Sequence, residues 1–386
     1  MEQRAVHTLF ALLHSAISET RLKEDDREAC TLGVLNDMTE MAAKHDLLHL
    51  LVLGLKKNEL IPKEKLEIEN FIIKAFYRYA QLKYVLDNLS EIFEKSEIPF
   101  IPLKGSVLRG YYPEEWMRTS CDIDILIHEK DIEAATSVLV NEYGYTYKGK
   151  SSHDVSLFSP TNIHVELHYD LADNGVANAS LDILKNVWDT ATLREGFDFL
   201  YEMSDEMFYF YHIAHMVKHL ENGGCGIRAF IDLWILDNIA GNNAQKRDGL
   251  LESGNLLRFA QVARKLSRIW LENEEYDPVC RQMEIYILQG GVYGTNENRV
   301  SVQQQKQGGR LRYALSKIFI PYDVIKFHYP ILQKHRWLTP FMEVRRWGKL
   351  IFRGHAKRTM NELKYNQSIS NAEADEIKKF LSNIGL

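Results

Sequence analysis

Apolar and polar positions along the chain fall into three regimes. In the first, up to about residue 95, Ile68, Ile72, Ala75, Tyr79, Leu82, Leu86, Leu89 and Phe93 recur at alternating steps of four and three. That spacing holds one apolar stripe on one side and predicts a long amphipathic helix packed on a neighbour. At Ser96 the pattern changes. Residues 98–103 form a short apolar run that starts beside Pro99 and contains Pro102; Lys104-Gly105-Ser106 and a short helix over 107–112, closed by Pro113, follow. Residues 122–127 alternate acidic and apolar before becoming wholly apolar, as a strand does on entering a core. Ile132, Ala135 and Leu139 mark a helix that ends near Gly144, and 155–158 and 163–168 read as two strands around a Ser-Pro-Thr-Asn turn. The predicted order is helix, strand, helix, strand, helix, strand, strand, which is that of an α+β domain. From about residue 181 helical patterns return, clearest over 227–239 and 256–271. Gly290-Gly291 and the Gln-rich run 302–309 read as connections. The chain thus divides into an N-terminal helical region (1–95), an α+β core (96–180) and a mainly helical C-terminal domain (181–386).

Composition changes this picture little. The 386 residues are 45% apolar and 26% charged, ordinary for globular proteins, and leave room for more than one domain. A net charge of −6 argues against chain-wide affinity for nucleic acid while allowing a local basic patch. The four cysteines, Cys30, Cys121, Cys225 and Cys280, are scattered and include no C-x-x-C pair, so neither a disulfide framework nor a cysteine zinc site is expected. Residues 1–17 carry Arg4, His7 and His14 and make a poor signal peptide. No window approaches the run of about 20 apolar residues that spans a bilayer. A cytoplasmic location, without a membrane span, is the expectation.

The chemistry concentrates in the middle region. Asp122 and Asp124 are two apart on a predicted strand, so both leave one face while Ile123 and Ile125 enter the other. Paired acids repel one another unless a cation lies between them, and a few carboxylates plus substrate phosphates suit Mg²⁺. Glu166, within Ile163-His-Val-Glu-Leu-His168, leaves its strand beside His164 and His168. If the two strands are neighbours, the three acids converge. Upstream, Gly105-Ser106 at a strand-to-helix junction offers close backbone approach and amides for an anion. Taken singly, each part has a plain reading: an exposed edge, a turn, a solvated acid. The signal lies in their order.

In that order the chain resembles the DNA polymerase β-type nucleotidyltransferases, and more narrowly the bacterial uncharacterised nucleotidyltransferase family. The resemblance rests on Leu103-Lys-Gly-Ser106, Tyr112-Pro113, Arg118 ahead of Asp122-Ile-Asp-Ile-Leu126, His164-Val-Glu-Leu-His168, and His215-Met-Val-Lys-His219 through Arg228 to Asp232. It covers roughly residues 100–236, with a weaker echo over 319–346. It implies a mixed-sheet nucleotidyltransferase core flanked by helices, with Gly105 and Ser106 holding triphosphate. Asp122 and Asp124 would bind metal and Glu166 the catalytic metal, with Mg²⁺ or Mn²⁺ as cofactor. The implied reaction moves a nucleoside monophosphate from an NTP to a hydroxyl of a small molecule, a protein or an RNA, releasing pyrophosphate. Two cations about 3.5–4 Å apart would serve the attacking and leaving oxygens. The gap from Gly105-Ser106 to Asp122 is longer than the common pattern of that superfamily, through an insertion over 111–120.

Around this centre several alternatives stand side by side. Lys104 and Arg118 are placed to reach a triphosphate or to be solvated surface charge. His164 and His168 either join Glu166 in a metal site or pack beside the carboxylates and touch substrate; His215 and His219, with His212 near the same helical face, invite a metal reading too, or are substrate-facing or buried histidines. Arg228 and Asp232, four apart, are spaced to pair with each other. Lys334, His335, Arg336, Arg345, Arg346, Lys349, Arg353, Lys357 and Arg358, interleaved with Trp337, Phe341, Trp347 and Phe352, make the segment 334–358 either a polyanion contact or a solvated cationic helix face. The rival to an enzyme is an inactive nucleotide-binding or protein-interaction module of the same fold; a phosphohydrolase using the same acids is a third reading.

Overall fold

The computed structural model describes residues 3–62, 67–171, 178–239, 243–292, 294–352 and 356–386. Phe100–Pro102 (β1), Asp122–Ile127 (β2), Thr146–Lys150 (β3), Asp154–Phe158 (β4) and His164–His168 (β5) form one five-stranded sheet in the order β1-β2-β5-β4-β3. β2 and β5 pair in parallel; the other pairs are antiparallel. The period-two alternation of β2 and β5 sorts their side chains between two faces. Ile123, Ile125, Val165 and Leu167 pack with Leu82, Leu89 and Phe93 of helix Asn70–Lys95 and with Ala135 and Leu139 of helix Ile132–Asn141. The opposite face carries Asp122, Asp124, Leu126, Glu166 and His168 toward the helical part of the molecule.

The α+β architecture and the middle-region order agree with the pattern of the sequence, with two corrections. β3 was not legible: Thr146-Tyr-Lys-Gly-Lys150 is an edge strand, exposed along most of its length, so no apolar face marks it, and Lys148 and Lys150 suit an unpaired edge. The Gln-rich run is not a loop. Residues up to Lys306 belong to helix Asn296–Lys306, whose Val300, Val302 and Gln304 are buried. Gln304 Nε2 donates to Asn366 Oδ1 at 2.8 Å, so a polar residue enters the interior with its amide satisfied, which the composition of the run conceals.

Helices from before and after the sheet share one apolar cluster. Phe10 of helix Gln3–Ile17 stacks on Trp270 of helix Leu257–Glu272, with ring centroids 4.3 Å apart. Helix Leu48–Lys57 crosses helix Gln3–Ile17 at Gly54, where a Cβ would sit 2.3 Å from the Leu12 carbonyl oxygen. Helix Asp205–Glu221 contributes Phe208, Tyr209, Phe210 and Ile213 to the same cluster and closes over the acidic face of the sheet. All four cysteines are free thiols. Among the described residues no helix is long and apolar enough to cross a membrane. Within the basic segment, Arg353 and the side chains of Phe352 and Arg358 lie outside the described residues.

Candidate active site

In the parallel pair, Asp124 stands directly beside Glu166, Asp122 beside His164 and Leu126 beside His168. Adjacent strands lie about 4.8 Å apart, and partners in register project to one face. The pairing alone therefore brings an acid from each strand together. Asp124 Oδ1 accepts from Lys104 Nζ at 2.8 Å and lies 2.8 Å from His168 Nε2, which is also 3.4 Å from Glu166 Oε2. Ligand atoms of Asp124, Glu166 and His168 all fall within 4.8 Å of one another. Asp122 stands outside this tight group. It lines the same cavity, of about 320 Å³, as Asp124, Glu166, Lys104, Gly105 and Arg118. Among the described residues, none hydrogen-bonds to or pairs with its carboxylate.

Electrostatics explain how this charge is held. Burial by itself would raise the Asp124 pKa, but Lys104 and then His168 hold that carboxyl far below the usual range. Burial would also lower the Lys104 ammonium, and Asp124 more than reverses it, so the lysine stays charged. His168 is shifted upward: burial opposes its charge, but its hydrogen bonds to Asp124 and Glu166 favour it. Asp122 moves the other way from its neighbour, raised by burial and then by the Asp124 charge. One carboxylate is thus neutralised by direct contacts within the protein, and a second is left at the cavity wall with only more distant cations, Lys104 among them, to offset its crowding. A cluster of carboxylate oxygens with one imidazole suits a divalent cation that favours oxygen ligands.

The backbone that delivers Lys104 is strained. Lys104 has φ of 46°, uncommon for a residue with a side chain, and the next position is tight, since a Cβ on Gly105 would lie 3.1 Å from the Ser120 Cβ. Helix Gly105–Leu108 that follows has only four residues. Its dipole is therefore slight, and the positive charge lining the cavity is that of Lys104, Arg118, Lys218 and Arg228. Ser106 does not join them. It lines a neighbouring cleft with Arg109, Tyr111 and Phe208, and its buried Oγ has no hydrogen-bond partner there.

The insertion before β2 is bolted to the helices. Arg118 Nε donates to both carboxylate oxygens of Asp232, at 2.7 and 3.0 Å, and Tyr112 OH donates to Asp232 Oδ1 at 2.7 Å. Arg228 Nη1 donates to Asp46 Oδ2 and to Thr119 Oγ1, each at 2.9 Å, and His49 Nε2 meets the Met117 carbonyl at 2.8 Å. Arg228 and Asp232 therefore do not pair with each other, as their spacing suggested. Both face the insertion, where buried Arg118 demands the carboxylate.

The histidines separate. His164 Nε2 hydrogen-bonds Ser156 Oγ at 2.8 Å, its ring tilts against Phe158, and its Nδ1 is 3.9 Å from Glu166 Oε1. His168 turns instead to Asp124, so the two do not flank Glu166 as joint ligands. His215 and His219 line the cavity with their Nε2 atoms 3.1 Å apart. Burial, reinforced by Lys104, lowers both, His219 to about 4, so both imidazoles are neutral near pH 7. His212 also lines the cavity, largely buried, with its Nε2 3.0 Å from the Ala229 carbonyl oxygen. The cavity also takes Phe208, Tyr211 and Lys218 from helix Asp205–Glu221, which the motif reading missed. Their signal was present: 208, 211, 215 and 218 recur at steps of three and four, one helical face.

A family model described as uncharacterised nucleotidyltransferase matches residues 35–272, more than half of the chain. The match spans the whole sheet and every cavity residue named above. No curated protein matches the chain.

Proposed function

The chain belongs to this uncharacterised nucleotidyltransferase family, and on that premise we propose that its cavity transfers a nucleoside monophosphate from an NTP to a hydroxyl acceptor. The acceptor oxygen forms a bond to the α-phosphorus, the bond from that phosphorus to the bridging oxygen breaks, and pyrophosphate leaves with the electron pair. Asp122, Asp124 and Glu166 are the residues proposed to hold Mg²⁺ or Mn²⁺. A divalent ion held there would neutralise phosphate oxygens and lower the pKa of the attacking hydroxyl.

The chain's own groups do the rest. Lys104, Arg118, Lys218 and Arg228 bind and orient the triphosphate, and Asp232 fixes the plane of the Arg118 guanidinium. Glu166, about a quarter exposed, takes the acceptor proton. Neutral His215 and His219 offer hydrogen bonds to the acceptor without adding charge. One observation supports this reading above all others: Asp124 and Glu166 sit abreast on parallel strands, with Asp122 on the same face of the same cavity.

A second reading has its own observation. Both internal contacts of Asp124 converge on one oxygen, Lys104 Nζ and His168 Nε2 each at 2.8 Å, as in a site that keeps nucleotide without turning it over. Pyrophosphate release from each of the four NTPs with Mg²⁺, beside calorimetric binding of the same nucleotides, separates the two. Release that vanishes in Asp124→Asn and in Asp122→Asn supports transfer. Metal-dependent binding without release supports the inactive module, and activity retained in both variants removes these aspartates from any catalytic role.

A further inference from the structure

Residues 310–349 carry nine Lys and Arg against only Asp323 and Glu343, in a chain whose net charge is −6. This segment is therefore strongly net positive in an otherwise acidic chain. Helix Thr339–Phe352, which begins within it, packs Met342 against Ile325, Tyr329 and Leu332 but also turns polar groups inward and apolar ones outward. Glu343, 5% exposed, accepts from the Ile320 amide and from Arg346, and Arg346 and Trp347 Nε1 donate to the Ile318 carbonyl. Phe341 and Val344 on the helix, with Trp337 in the turn just before it, are four and three residues apart and 63%, 74% and 69% exposed. Helix Arg310–Ile318 repeats the arrangement, with Leu311 74% and Leu315 46% exposed one turn apart.

Such stripes cost free energy in water and mark a surface meant to be covered. Exposed Arg312, Lys334, Arg336, Arg345 and Lys349 surround them, so the cover must be anionic as well as apolar. Folded partners are usually anchored by side chains seated in pockets, whereas a fluid hydrocarbon layer takes projecting aliphatic and aromatic tips. RNA would meet the cations but gains nothing from Leu311 or Val344.

We propose that residues 310–349 form a peripheral docking surface for an anionic lipid bilayer, with Trp337, Phe341 and Val344 entering the headgroup boundary and the surrounding cations meeting lipid phosphates. The proposal is independent of the transfer reaction, because the surface lies outside the cavity and outside the family match. Sedimentation of the full chain with vesicles tests it. The chain is expected to bind phosphatidylcholine vesicles containing about one-third phosphatidylglycerol, to bind pure phosphatidylcholine at least about tenfold more weakly, and to lose affinity as salt rises. Combined Trp337→Glu, Phe341→Glu and Val344→Glu should lower binding to anionic vesicles at least about tenfold. Its melting temperature should stay unchanged, since those side chains face water. No binding to anionic vesicles, equal binding by the variant, or binding to poly(U) in place of vesicles overturns the proposal; loss of pyrophosphate release bears only on the cavity.

Discussion

Replacing Asp232 by Ala removes the counter-charge of a buried guanidinium, and its cost follows from the geometry. The Arg118 side chain is 11% exposed and that of Asp232 1%, so water cannot take over the lost contacts. Breaking a buried pair from one side typically costs about 3–5 kcal/mol, because an uncompensated charge is left behind. Tyr112 OH loses its acceptor in the same step, a penalty of about 1–3 kcal/mol that overlaps the first. Asp232→Ala should therefore destabilise the protein by about 4 kcal/mol, measured as the shift of a urea unfolding midpoint at an unchanged slope. Arg118→Met in the same chain removes the orphaned charge, so the double variant should be more stable than Asp232→Ala alone by about 2 kcal/mol. It should not recover NTP affinity, since Arg118 is itself proposed to bind phosphate. A single variant within about 1 kcal/mol of the parent, or a cycle with no coupling, refutes the claim that this pair ties the insertion to the helices.

Other expectations concern acid, charge and packing. His45 is buried and held at about 4 against an ordinary 6.5, so its contribution is complete above pH 6.5 and is lost as pH falls toward 4, by at most about 3 kcal/mol. His45→Asn should flatten a plot of stability against pH in that window, and an unchanged slope argues against the assignment. Lys104→Met should weaken NTP binding about tenfold in calorimetry while tightening Mn²⁺ binding in the absence of nucleotide; a loss of both would show that Lys104 shapes the site rather than supplying charge. Gly54→Ala should cost about 1–3 kcal/mol, because its methyl meets the Leu12 backbone and not a movable side chain; a melting temperature equal to the parent's would contradict the close helix crossing.

Local periodicity determined a large part of this protein. Spacing alone gave the long helix before the sheet, strands β2, β4 and β5, and the helices that begin at Ile227 and Leu257, because each turns an apolar face into the core and so writes its period into the chain. It also put Asp122, Asp124 and Glu166 on the polar sides of their strands. What it could not decide was which strands are neighbours: the parallel register that sets Asp124 against Glu166 crosses more than forty residues and is a property of the folded sheet. The same limit hid β3, which has no buried face, and the helical Gln-rich run, whose buried Gln304 depends on Asn366 from a distant helix. It hid the partner of Asp232 too, because helix spacing offered Arg228 while packing supplied Arg118 from 114 residues away. Side-chain period is local and legible in a sequence; the choice of partner is settled only when all the surfaces compete for one another in three dimensions.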